Sequence, residues 1–117
     1  MEQYPVTKQL IVYKNTTKSY ELNFTKDDKA LNITGWTIYF TVKENIDDDD
    51  NDAVIKKDIT SHSDPTGGTT FIVLTTDDTN REGNFHYDIK YKDSDGNSDI
   101  LVKGKITFEK TVTQRDD

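Results

Sequence analysis

In "WTIYFTVK", residues 36–43, the apolar side chains of Trp36, Ile38, Phe40 and Val42 alternate with Thr37, Tyr39, Thr41 and Lys43. Successive side chains of an extended chain point to opposite faces, so a period of two predicts a strand with one face on a core and the other toward solvent. "GNFHYDIKYKD", residues 83–93, repeats the pattern, with Phe85, Tyr87, Ile89 and Tyr91 set against His86, Asp88, Lys90 and Lys92. In "DILVKGKITFEK", residues 99–110, Ile100, Val102, Ile106 and Phe108 fall on one face. Gly104 stands in mid-strand there, where a missing side chain marks a bulge or a bend.

Weaker segments agree. "SYELNF" offers Tyr20, Leu22 and Phe24, "TTFIVLT" sets Ile72 and Leu74 against Phe71 and Val73, and "QLIVYK" and "AVIKKDI" are short apolar runs. That makes about seven strands, the number expected of an antiparallel sandwich. Apolar residues nowhere recur at helical spacing, and the use of Thr, Val, Ile, Tyr and Phe favours a pleated surface. The exception is "TTDDTNREG", where Thr75 or Thr76 caps a single helical turn that Gly83 ends. Asp95-Gly96 marks a hairpin turn, and Pro65 with Gly67 and Gly68 marks another connection.

With 117 residues, the chain is long enough for one core and too short for two, so residues 1–117 read as a single domain with its core over about 8–113 and frayed ends. The mean hydropathy of −0.85 would suit a disordered chain if the apolar residues had no period. A net charge of −7 repels phosphate backbones, and no stripe of Lys and Arg in the linear sequence overrides it, so nucleic acid is not an expected partner. The absence of cysteine excludes a disulfide framework, a thiol nucleophile and a thiolate zinc site. "MEQYPVTKQLIVYKN" has neither a basic, apolar export signal nor a membrane-spanning run, so cytosolic folding without a membrane partner is expected.

"IDDDDNDAVIKKD", residues 46–58, is the obvious candidate for chemistry. Hard cations want several oxygens converging from a loop, and Asp47, Asp49 and Asn51 would open a calcium loop. The sixth position is then Asp52 instead of the turn-forming glycine, and the last is Asp58 instead of a bidentate glutamate. A second acidic run, with Asp93 and Asp95, is accounted for as a hairpin tip. Asp47, Asp49, Asp93 and Asp95 are therefore only weak metal candidates, and both runs read as solvated loops. The first is expected to move unless an ion or a basic partner quiets it.

His62 and His86 read as surface residues without the partners a triad or zinc site needs, and Gly67-Gly68 lacks the lysine and helix of a phosphate loop. No catalytic residue, cofactor or enzymatic role is expected. Three Asn-X-Thr sequons, at Asn15, Asn23 and Asn32, are chance matches in a threonine-rich chain. Tyr4, Tyr13 and Tyr39 could form an exposed aromatic platform, although ordinary core or sheet-surface positions are the better account of them.

Taken in order, "NITGWTIYFTVK", the acidic loop, "AVIKKDI", "GGTTFIVLTTDDTN" and "EGNFHYDIKYKDSDGNSDILVKGKITFEKTVT" resemble the N-terminal domain family of phage baseplate upper proteins and related small tail-associated sandwich proteins. The residues that carry the likeness, over roughly 8–113, are Thr34-Gly35, Leu74-Thr75, Asp78-Thr79, Gly83, Phe85, Tyr87-Asp88, Ile89, Asp95-Gly96, Gly104, Ile106 and Val112-Thr113. The resemblance implies an immunoglobulin-like sandwich that docks onto other virion proteins, in repeated copies or as a homo-oligomer, in a virion assembled in the bacterial cytoplasm. Capsid decoration and carbohydrate binding are the rival functions. In such sandwiches a tyrosine near the start of the sixth strand ties down the preceding corner, a role for which Tyr87 is the candidate, with an ordinary core tyrosine as the alternative. The docking candidates are the first and last strands, through Gln9, Ile11 and Tyr13 and through Lys103, Lys105 and Thr107, with Tyr39 on the sheet surface.

Overall fold

The computed structural model describes residues 6–113. Its strands are β1 (Val6–Thr7), β2 (Leu10–Tyr13), β3 (Lys18–Asn23), β4 (Thr25–Lys26), β5 (Lys29–Ala30), β6 (Thr37–Lys43), β7 (Ile55–Ile59), β8 (Thr69–Leu74), β9 (Gly83–Lys92) and β10 (Ser98–Glu109). Seven of these have four or more residues. One sheet runs β1-β10-β9-β6-β7, with β2 continuing β1 alongside β10. A second layer pairs β3 with β8, and β4 and β5 form a small hairpin.

The alternation in β6 does what its period requires. Ile38, Phe40 and Val42 are fully buried, while Thr37, Tyr39, Thr41 and Lys43 face outward. From the other layer Ile72 and Leu74 meet them, and Val12, Ile89, Ile106 and Phe108 complete one continuous core. Trp36 closes one end, stacked on Tyr91 at 4.8 Å and edge-on to Phe24 at 5.5 Å. The result is the expected all-β sandwich, its two layers joined through one apolar interior.

The pairing departs from an all-antiparallel scheme in one place. β1 and β2 run parallel to β10, with Thr7 opposite Lys103 and Leu10 opposite Ile106. Parallel neighbours need a long crossover, and here nearly the whole domain supplies it. From Val102 to Phe108, β10 is therefore flanked by strands on both sides. The expectation that the last strand, through Lys103, Lys105 and Thr107, offers an edge for docking is corrected: among the described residues the edges of this sheet are β7 and β1/β2.

Gly104 is not the bulge. The register shift lies between Ile100 and Val102, so Leu101 turns into the core and Ile100 to the outer face. Gly104 instead makes room for the break between β1 and β2, where the Lys8 carbonyl comes so close that any Cβ on residue 104 would collide with it. Tyr87, paired with Gly104 across the sheet, donates its hydroxyl to that carbonyl at 2.6 Å. Tyr87 thus pins the N-terminal strand, not the corner before its own strand. Burial, with a smaller contribution from Tyr20, pushes its pKa up to about 12, so the hydroxyl keeps its proton across the neutral range. Tyr87→Phe is expected to lower stability by about 1–2 kcal/mol, read from the urea midpoint at unchanged slope.

The single turn at "TTDDT" forms. The Thr79 N–H reaches the Thr75 carbonyl, the Thr75 N–H donates to the Asp78 carboxylate at 2.8 Å, and the Asp78 N–H donates back to the Thr75 hydroxyl at 3.3 Å. Gly83 does not end this turn; it opens β9 opposite Phe108. His62 is half-buried instead of lying on the surface. Its Nε2 sits 2.8 Å from the Trp36 carbonyl, which can only accept, so Nε2 carries the proton and Nδ1 faces the Thr70 hydroxyl at 2.9 Å. It ties the core-facing Thr70 of β8 to the entry of β6.

Candidate functional site

The outward side chains of the six-stranded sheet form a grid fixed by the registers. Lys56, Thr41, Asp88 and Lys103 lie across one row. Asp58, Tyr39, Lys90 and Ile100 form the next, and Lys43, His86 and Lys105 a third. The sheet's right-handed twist curves this face, leaving an open concavity of about 1390 Å³. It is lined by seven lysines against three aspartates. That local excess of four positive charges stands on a chain of net −7, so the rest of the chain holds −11.

The charges on the face are unevenly answered. Lys43 pairs with Asp50 at 2.7 Å, which raises the lysine pKa and lowers that of the aspartate. Asp88 is pushed up by burial, against the attraction of Lys43. The ammonium groups of Lys56, Lys90, Lys92, Lys103 and Lys105 take no ion-pair or hydrogen-bond partner among the described residues. Of the proposed docking residues, Tyr39, Lys103 and Lys105 belong to this face, and Gln9 lines its rim at the β1/β2 break. Thr107 lies on the same side, hydrogen-bonded to Asn84 at 2.7 Å. Ile11 and Tyr13, about half exposed at 51% and 52%, flank the open edge of β2, while Val12 between them is buried. Tyr4 lies outside the described residues.

The acidic loops are structured by their own aspartates. Asp49 caps a short 3-10 turn at Asp50–Asp52 by accepting the Asn51 N–H, and Asp48 accepts the Asn45 N–H at 3.1 Å. Lys43 holds the loop from below through the Asp48 carbonyl. In the hairpin, Asp93 accepts the N–H groups of Asp95 and Asn97, and Gly96 takes the positive φ its turn requires. Among the described residues no group of three or more His, Cys, Asp or Glu side chains is arranged to hold a metal ion. Millimolar calcium is accordingly expected to leave the melting temperature unchanged in a thermal scan.

Asp78 couples stability to pH. Burial opposes its ionisation, but the Lys57 ammonium at 2.7 Å and the N–H and hydroxyl of Thr75 outweigh it, holding the carboxyl below its ordinary value of 3.8. A carboxylate favoured in the folded state contributes stability above its unfolded pKa, and that contribution is lost as pH falls through the folded one. Asp78→Asn is expected to cost about 1–2 kcal/mol at neutral pH, the gap to wild type closing in denaturant titrations as pH falls below 3.8 and through the lowered folded pKa.

No family model and no curated protein matches the chain. Among solved structures it is similar to the N-terminal domain of phage TP901-1 ORF48, at 11% identity and a TM-score of 0.54 over 90% of this chain and 89% of that one. It also matches a variant of the SrpA adhesin from Streptococcus sanguinis, at 15% identity and a TM-score of 0.43, over 92% of this chain and 54% of the adhesin chain. At such identities likeness speaks to fold alone, and the fold of this chain is one it shares with a domain of a phage protein.

Proposed function

We propose that the protein is a non-enzymatic structural component of a tailed-phage virion, in the baseplate, tail or fibre attachment, that works by docking onto other virion proteins. The observation that carries this reading is the nearly end-to-end match in fold with the N-terminal domain of phage TP901-1 ORF48. The open edge of β2 supports it physically. Its unpaired backbone groups face outward beside exposed Ile11 and Tyr13, and such an edge is a template on which a partner strand can add.

The test is mass spectrometry of purified particles. Recovery of the protein at a low, fixed copy number supports a tail or baseplate position. Copy numbers matching the capsid lattice would instead make it a shell decoration protein, and absence from particles would overturn the virion reading. Placing proline at Ile11, whose side chain is half exposed and whose N–H alternates with those bonded to β10, removes a donor from the open edge; with folding checked by circular dichroism, it is expected to weaken incorporation if this edge is used.

A further inference from the structure

We propose that the concave lysine face of the six-stranded sheet docks the acidic β6–β7 loop of a second copy of the chain, whose own face takes the first copy's loop across a two-fold axis. This deepens the docking reading by naming one pair of surfaces, and it stands or falls on assembly in solution, whatever particles contain.

Charge complementarity comes first. The face gathers lysines from β6, β7, β9 and β10, four of which, Lys90 and Lys92 on β9 and Lys103 and Lys105 on β10, follow one another along these neighbouring strands and make no ion pair or hydrogen bond among the described residues. The loop supplies the opposite charge. Asp48, Asp49 and Asp50 are engaged within it or with Lys43, whereas the exposed carboxylates of Asp47 and Asp52 take no hydrogen bond or ion pair among the described residues. One copy already shows the pairing in miniature, since Asp50 reaches over the rim to Lys43.

Apolar complementarity comes second. Ile46, beside these aspartates, is 68% exposed, an unfavourable place for a branched aliphatic chain on so polar a surface. Tyr39 and Ile100 lie in one row of the face, on either side of Lys90, and offer it apolar contact. An anchor of this kind ringed by charged pairs is the usual anatomy of a protein interface.

Contiguity fixes the symmetry. Ile46 and Asp50 belong to the rim of the concavity, so loop and face are neighbours on one molecule. Two copies turned face to face can then exchange both contacts about a single axis, which closes the assembly as a dimer. The three aspartates interleaved on the face, with the net charge of −7, disfavour a polyphosphate there. The overall repulsion between two acidic copies is screened beyond a Debye length of about 8 Å at physiological salt, while contact pairs inside that length survive.

The test uses sedimentation of the full chain and two charge-reversed variants, one carrying Lys90→Glu, Lys103→Glu and Lys105→Glu, the other Asp47→Lys and Asp52→Lys. All five positions are exposed and lie outside the core and the turn-capping bonds, and circular dichroism checks folding. Wild type is expected to sediment as a concentration-dependent dimer, weakened by high salt. Each variant alone is expected to be monomeric, because like charges then meet at both contacts. An equimolar mixture is expected to restore the dimer, since the reversed face meets the reversed loop and the native face meets the native loop. A monomeric wild type at every concentration, dimeric variants, or a mixture that stays monomeric would each overturn the proposal.

Discussion

Truncating Phe40 to alanine is expected to lower the unfolding free energy by about 3–5 kcal/mol, the range for large core aromatics cut back to a methyl group. The ring is fully buried at the centre of β6, between Lys57 and Ile89 on the flanking strands, and packs against Tyr87 at a centroid distance of 6.0 Å. Well-packed strands on both sides limit how far the cavity can collapse, so the penalty should fall in the upper part of that range. Domains of this kind hold only about 5–15 kcal/mol in total, and the variant should melt some 10–20 °C lower. Phe71→Ala is the matched control. That side chain stands 40% exposed on the solvent face of β8, and its loss should cost less than about 1 kcal/mol. Equal losses for the two phenylalanines would mean that β6 does not lie at the centre of the sandwich.

Gly104→Ala is expected to rank second, at about 2–4 kcal/mol, combining overpacking with a lost hydrogen bond. The added methyl group would run into the Lys8 carbonyl, so either the β1/β2 break moves outward or β10 bends inward. Both displacements pull the Lys8 carbonyl off the Tyr87 hydroxyl. The two sites therefore share one interaction, and the Gly104→Ala, Tyr87→Phe double variant should lose less than the sum of the singles, by about 0.5–1.5 kcal/mol in a double-mutant cycle. Strict additivity would show that glycine is needed at 104 for some reason other than this approach.

Most of the strands could be read before the structure because β6, β8 and β9 each bury one face, and burial of one face writes itself into a sequence as period two. What escaped was whatever depends on partners far apart in the chain. The parallel pairing joins residues such as Leu10 and Ile106, and nothing local distinguishes an N-terminal strand that pairs this way from one that does not. The bulge hides in "ILV", residues 100–102, where three apolar residues in a row fit either face. Gly104 was visible as an anomaly but assigned the wrong cause, because the close approach of Lys8 belongs to tertiary structure.

The candidate site divides the same way. Its lysines are scattered at 8, 43, 56, 90, 92, 103 and 105, too dispersed to form a stripe, and only the cross-strand registers gather them into one basic field. The acidic run was conspicuous from the start, yet its significance lies in the side chains around it: Asp48, Asp49 and Asp50 hold the loop in shape, which leaves Asp47 and Asp52 exposed. His62 gave no sign of its role, since its partners Trp36 and Thr70 lie 26 and 8 residues away.

The parallel pairing at the sheet's edge also has a mechanical side. The chain enters at the Val6 end of β1 and leaves at the Glu109 end of β10, opposite ends of the paired strands. Tension applied between those two points pulls β1 and β2 lengthwise along β10, so the hydrogen bonds from Thr7 to Tyr13 resist together in shear instead of opening one after another. Forced rupture is governed by the barrier to that concerted slip and not by equilibrium stability, so a domain of modest folding free energy can still transmit force along its length.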